Sequence, residues 1–258
     1  IKSLQKLSLK NGLLLCRVPS QTASLLSLVL PANKPIALEV IGDPQDVFAS
    51  GVGGKWFSPI LGLTSVFSLK RQCKKAIGVS YVTKEYLQSK YPCSGSAITA
   101  HYSSILLNDS QFSESEKDYK TPARKLIFIG SVEQMYKAPD ILILAFKELV
   151  HQDKSYHLTM LGGGRNLSYL KEEITQYGLE DNVTLMGEVN SETVENELEK
   201  ADLFVLPSRT EGLPRAMIEA MARGLPCVGT KVGGIPELIP QQYCVRADNI
   251  QELSLIHI

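Results

Sequence analysis

The chain reads as an α/β protein in two halves, each a parallel sheet flanked by helices. Two observations predict this. Short apolar runs of strand length alternate with stretches of helical period along most of the 258 residues, the order that parallel sheets with crossover helices produce. The alternation is interrupted once, at residues 108–122, where Ser, Glu, Asp and Lys replace aliphatic residues; it then restarts at Lys125-Leu126-Ile127-Phe128-Ile129-Gly130. The predicted organisation is a first domain at 1–107, a linker at 108–122 and a second domain at 123–258.

In the first half, residues 13–19 form an apolar run closed by Pro19 and read as a buried strand. Residues 24–30 suit a helix, and 35–41 a second strand ending in the turn Gly42-Asp43-Pro44. Gly51-Val52-Gly53-Gly54 reads as a loop. Residues 66–75 are helical in period and end in Lys70, Arg71, Lys74 and Lys75. Those cations either complement a helix C-terminus or give a basic face suited to anionic lipid. A strand at 76–83, a helix through Lys90 and an extended segment at 97–107 follow. Loops after the C-terminal ends of parallel strands line ligand crevices, and Arg17, Glu39 and Asp43 stand at such ends. Each also has a plainer reading: Asp43 before Pro44 initiates a turn, and Glu39 pairs with Arg17.

In the second half, the strand at 125–129 is followed by a loop carrying Ser131 and Lys137, then a helix at 141–150. The strand at 157–161 runs into Gly162-Gly163-Gly164, which lacks the spacing of a dinucleotide fingerprint and so argues against a dehydrogenase. A helix at 167–177, a strand at 183–186 ending beside Gly187, a helix at 192–200 and the run Ala201-Asp202-Leu203-Phe204-Val205-Leu206-Pro207 complete the alternation. Next comes Ser208-Arg209-Thr210-Glu211-Gly212-Leu213-Pro214-Arg215-Ala216-Met217-Ile218-Glu219-Ala220-Met221-Ala222-Arg223-Gly224-Leu225-Pro226. Pro214 suits the first turn of a helix, Gly224 the position just past its end, and Cys227-Val228-Gly229-Thr230 is the next strand. The N-terminus of that helix favours an anion such as phosphate. Glu211 lies just before it, and Glu219 roughly 7–8 Å beyond Pro214 along the axis, so two carboxylates would bracket a diphosphate-sized length. The alternative is that Glu219 pairs with Arg215 and Arg223, each four residues away.

Glu211 and Glu219, spaced Glu-x7-Glu within Glu-Gly-Leu-Pro…Glu-Ala-Met-Ala…Gly-Leu-Pro, together with Val232-Gly233-Gly234-Ile235-Pro236-Glu237, resemble the donor-site signature of family 4 retaining glycosyltransferases of the GT-B fold. The resemblance implies two Rossmann-like domains facing a cleft. It further implies transfer of a sugar from a nucleotide-diphosphate sugar to a glycan or lipid-linked acceptor, with retention and without a metal or other cofactor. Glu211 would orient the donor sugar, with Lys137 and the N–H groups of Gly212 and Leu213 stabilising the departing diphosphate. Glu219 would anchor the ribose, and Gly130, Ser131 and Gly187 would line the nucleotide. Arg17, Glu39 and Asp43 would stand on the acceptor side. The family usually carries an arginine where this chain has Ser131, for which Arg209 or Arg165 would have to compensate. It also often carries a donor-contacting histidine in the first domain. None of His101, His151, His157 and His257 falls at a strand end of the kind required, so Asp43 or Glu39 takes that place or the residue lies upstream. Rival readings are a nucleotide-sugar epimerase or phosphorylase, and a non-catalytic nucleotide-sugar binder.

Composition narrows the field. Twenty-seven cations balance 27 acids, which argues against nucleic-acid binding. No apolar run reaches the roughly 20 residues of a membrane helix, and no metal-ligating cluster stands out. Five dispersed cysteines read as reduced thiols. The expected location is cytoplasmic, with peripheral contact at the inner face of a membrane left open. Both chain ends read as cuts in a longer protein.

Overall fold

The computed structural model describes residues 12–31, 34–45, 58–113 and 122–254; the Gly51–Gly54 loop, most of the predicted linker and both chain ends lie outside these residues. The chain divides into two compact units, one comprising residues 1–104 with Glu211–Leu213, the other 105–210 with 214–258.

The first unit holds a four-stranded, wholly parallel sheet in the order β1 (Leu14–Val18), β2 (Ile36–Val40), β3 (Gly78–Tyr81), β4 (Ile98–His101). Helix α1 (Gln21–Val29) starts where the Ser20 side chain accepts from the Ala23 N–H, a capping bond of the kind that fixes helix starts. Helix α2 spans Ser58–Lys75. It begins eight residues before the predicted start, and Pro59 at its second position is the signal that marks it. Helix α3 is confined to Tyr86–Lys90. The core gathers Val18, Leu38, Val40, Leu69, Val79 and Tyr81 from opposite sides of sheet and helix.

The second unit is built on a six-stranded sheet. Its strands are β5 (Lys125–Ile129), β6 (His157–Leu161), β7 (Val183–Gly187), β8 (Leu203–Leu206), β9 (Cys227–Thr230) and β10 (Cys244–Val245), in the spatial order β10-β9-β8-β5-β6-β7, all parallel. Chain order reverses between β5 and β8, the doubly wound pattern in which two adjacent loops splay apart at the strand C-termini.

Its crossover helices are α4 (Pro139–Gln152), α5 (Leu167–Gln176), α6 (Ser191–Lys200) and α7 (Arg215–Ala222); α8 (Ile235–Leu238) and α9 (Ile250–Ser254) follow. Proline at the start of α4, Asp140 in its first turn and His151 in its last are the terminal residues a helix favours. Leu142, Ile143, Phe146 and Val150 recur at helical spacing and bury against Phe128 and Phe204 of the sheet. Each such large side chain contributes about 1.5–3 kcal/mol on full burial.

Residues 109–111 form a 3₁₀ turn, and the Ser113 N–H donates to the Ala222 carbonyl at 2.9 Å. The visible part of the predicted linker is therefore packed onto the second unit.

Candidate active site

The reversal between β5 and β8 places the loop 130–138 beside residues 207–210, where the Arg209 N–H donates to the Tyr136 carbonyl. The first carries the 3₁₀ turn Met135–Lys137, capped by Ala138 in left-handed backbone (φ 52°). The stem of Lys137 lies across the Gly130 backbone, where a Cβ would collide with its Cδ. Gly162, at φ 139°, packs its α-carbon against the Gly130 carbonyl with the same intolerance of a methyl group. These two glycines fix the course of the Lys137 stem over the strand end. Ser131 closes a tight turn beneath it: its hydroxyl donates to the Gly163 carbonyl at 3.3 Å and accepts from the Glu133 N–H at 3.2 Å. Gly187 ends β7, its carbonyl accepting the Gly162 N–H at 2.7 Å.

Helix α7 starts one residue later than predicted. Pro214 is its N-cap, with φ −73° and ψ 110°, and has no side-chain oxygen to offer the first turn. Glu219 lines a cavity of about 140 Å³ together with Gln111, Ser191, Glu195 and Arg223. Burial raises its pKa and the Glu195 carboxylate adds to that, while Arg215 and Lys137 pull the other way. Lys137, 82 positions away in sequence, has the smallest of these effects on Glu219. Arg223 is paired with Glu195 at 3.0 Å. Of the two cations expected to quench Glu219 as a surface residue, Arg223 is engaged elsewhere and Arg215 interacts with it electrostatically.

The two arginines considered as substitutes for the missing one are committed to protein partners. Arg165 donates from Nε to the Glu133 carbonyl at 2.8 Å. Arg209 grips Asp140 with both arms, at 3.0 and 2.8 Å, and Asp248 at 2.7 Å.

In the first unit, Arg17 and Glu39 face one another across β1 and β2 in register and form a two-pronged ion pair at 2.9 and 2.8 Å, with the Tyr102 hydroxyl donating to the same carboxylate. Arg17 holds Glu39 below the usual carboxylate range, over the opposing effect of burial. Asp43 is almost fully buried and bonded to Lys90, to the Tyr91 hydroxyl and to the Gln45 N–H. The Arg17–Glu39 pair and the turn bond from the Gln45 N–H to Asp43 are both present; the sequence does not foretell the bonds of Asp43 to Lys90 and Tyr91. The sequence excludes His101 from a strand end, but the structure corrects this: His101 is exposed and is the last residue of β4, because the strand stops there and does not run through the extended segment 97–107. Glu211, Gly212 and Leu213 group with the first unit, and Leu213 packs on its core.

The family profile described as "Glycosyl transferases group 1" matches residues 109–254, more than half of the chain. The chain belongs to this family. Among relatives, protein CapJ of Staphylococcus aureus is 29% identical over 95% of this chain and 61% of its own length. The putative colanic acid biosynthesis glycosyltransferase WcaL of Escherichia coli K12 is 39% identical over 48% of this chain and 32% of its own. The chain thus spans about three-fifths of the CapJ length. Sucrose-phosphate synthase of Thermosynechococcus elongatus superposes with a TM-score of 0.71 at 18% identity, over 94% of this chain and 62% of that one. Anabaena HepE, solved with UDP and glucose, superposes with 0.70 at 18% identity, over 99% and 69%. The fold of this glycosyl transferases group 1 member is GT-B. Among the described residues no group of three or more His, Cys, Asp and Glu side chains could hold a metal ion, and no helix is long and apolar enough to cross a membrane.

Proposed function

We propose that the chain forms the donor site and part of the acceptor side of a retaining glycosyltransferase using a nucleotide-diphosphate sugar. The observation that carries this reading is the placement of Lys137 over the end of β5, at the point where strand order reverses, with its stem laid across the Gly130 backbone. In the proposed reaction the bond between the anomeric carbon and the diphosphate breaks, and the electron pair leaves with the nucleoside diphosphate. Lys137 and the N–H groups of Gly212 and Leu213 neutralise the growing charge. The acceptor hydroxyl attacks from the face the diphosphate leaves, and its proton passes to the departing phosphate oxygen. Glu211 holds sugar hydroxyls; Glu219 accepts from the ribose hydroxyls. Gly130, Ser131 and Gly187 line the nucleotide without side-chain bulk. The acceptor is a glycan or a lipid-linked glycan, and no metal takes part. HepE holding UDP and glucose on the same fold is consistent with such a donor.

The test is transfer from labelled nucleotide sugars by the full-length protein. Glu211→Ala and Glu219→Ala abolish transfer with the fold intact, and chelator leaves the wild-type rate unchanged; turnover retained in both variants overturns the assignment.

A lipid-linked acceptor fits one further feature, the outward face of α2. Ile60, Thr64, Phe67, Arg71 and Lys74 follow one another along a single exposed stripe, flanked by Leu63 and Lys70. Ile60, Leu63 and Phe67 are 61%, 65% and 72% exposed. Apolar side chains followed by cations suit insertion into an anionic bilayer surface. Flotation with phosphatidylglycerol vesicles but not phosphatidylcholine vesicles is expected, and Phe67→Asp with Lys74→Glu abolishes it. Equal flotation with both lipids, or none, removes the membrane from the reading.

A further inference from the structure

We infer that Arg209 is a positioning residue that sets the diphosphate-facing cation, Lys137, from the opposite side of the strand-order reversal. It rests on the donor-site reading above and assigns Arg209 a role in it other than direct phosphate contact. Arg209 stands on the loop after β8, three positions past Leu206, and its described partners belong to the β5–α4 connection, the first turn of α4 or the turn at Asp248. Its N–H donates to the Tyr136 carbonyl at 2.7 Å, and its guanidinium donates to the Met135 carbonyl at 2.6 Å. Those carbonyls belong to the two residues immediately before Lys137. The same guanidinium takes Asp140, three residues after Lys137, in a two-pronged pair, and Asp248 through Nε. The Lys137 turn is thus gripped on both sides by one planar group, the fork geometry that arginine supplies and lysine does not.

A second observation points the same way. Only two non-glycine residues among those described have left-handed backbone, Ala138 at φ 52° and Asp248 at φ 57°. One follows Lys137 directly and lies between it and Asp140; the other is an ion-pair partner of Arg209. Unfavourable backbone of this sort persists where surrounding contacts over-determine it, and it concentrates where a side chain must be aimed. Asp248 is bonded to the guanidinium directly, and Ala138 lies between the Met135 carbonyl and Asp140 that the same guanidinium holds.

The test compares nucleoside diphosphate with nucleoside monophosphate binding by calorimetry on the intact protein, using uridine or guanosine nucleotides, whichever the wild type binds. If Arg209 acts through Lys137, Arg209→Lys weakens the diphosphate about tenfold and leaves the monophosphate within about twofold, the size of effect expected when a fork is replaced by a point charge. Lys137→Ala gives the same selective loss, and the double variant is no weaker than Lys137→Ala alone. Asp140→Asn removes the two-pronged partner without touching Arg209 and serves if Arg209→Lys does not fold; it is expected to show the same selectivity. Equal weakening of both nucleotides, or additive losses in the double variant, overturns the inference and leaves Arg209 a structural residue. A wild type that does not prefer the diphosphate over the monophosphate overturns the donor-site reading itself.

Discussion

The stem of Lys137 lies on the backbone of Gly130, so the strand end supports the side chain only because residue 130 has none of its own. Gly130→Ala must lift the lysine or push the β5 end away. Overpacking of this kind costs about 1–3 kcal/mol. The expected outcome is a lower denaturation midpoint together with weaker nucleoside diphosphate binding. Lys137→Ala in the same background should restore much of the stability and none of the binding, which separates the steric effect from the lost cation.

Glu219 leads to an opposite trade. Burial holds its pKa above the ordinary value of about 4.3. A carboxyl with a raised native pKa binds more protons folded than unfolded across that interval, so native stability falls as pH rises through it. Glu219→Gln removes the buried charge and is expected to raise neutral-pH stability, toward the low end of the about 0.5–2 kcal/mol found when such sites are relieved. It should also abolish donor use, because an amide cannot supply the same acceptor pair to two hydroxyls. Thermal melts at pH 4 and pH 7.5 check the sign: the gain over wild type appears at pH 7.5 and shrinks at pH 4.

How far the sequence foretold these residues depended on the range of the interaction. Helix ends and strands in the second unit were legible because their signals are local: Pro139 and Asp140 at the start of α4, Gly224 after α7, unbroken aliphatic runs for β5 and β8. The two-sheet α/β architecture followed from their alternation. The early start of α2 was legible too, in Ser58-Pro59, but the helical period there is masked by apolar residues that face outward. What local pattern did not carry is partner choice. Asp43 finds Lys90 and Tyr91, 47 and 48 positions away, and Arg209 finds Asp140 69 positions upstream. Both are set by which strand ends the topology places side by side. Arg209 could be named from sequence as a spare cation, but only the β8–β5 neighbourhood shows that it is spent on the loop of Lys137.

Glu39 differs from Glu219 in the sign of its response. Arg17 depresses its pKa, so its contribution is fully present above the unfolded value of about 4.3 and is lost as pH falls through the lower folded value. Glu39→Gln or Arg17→Met is expected to lower Tm by a few degrees at pH 7, with the difference shrinking as pH falls below the unfolded value. A melt series from pH 2.5 to 7 reads this directly. If the first unit instead used Glu39 in transfer, Arg17→Met would reduce turnover far more than stability.

The cysteines offer a reporter on α7. All five are free thiols. Burial pushes Cys73 and Cys227 up to about 12, and Cys244 is raised for the same reason. Burial raises Cys16 as well, but Cys16 and Cys93 are only half-buried while the other three are buried; thiolate is the reactive form, so Cys73, Cys227 and Cys244 should resist maleimide in the native protein and Cys93 should label first. Cys227 opens β9 with its sulfur against the Leu225 carbonyl at 3.4 Å and near that of Met217 on α7. Its labelling therefore requires α7 to lift from the sheet, a local opening rather than global unfolding. A nucleoside diphosphate that binds at the start of α7 stabilises the closed form. Saturating nucleotide is expected to slow Cys227 labelling several-fold and leave Cys73, in the other unit, unchanged. Equal protection of the two thiols would place the ligand's effect on the whole molecule rather than on this helix.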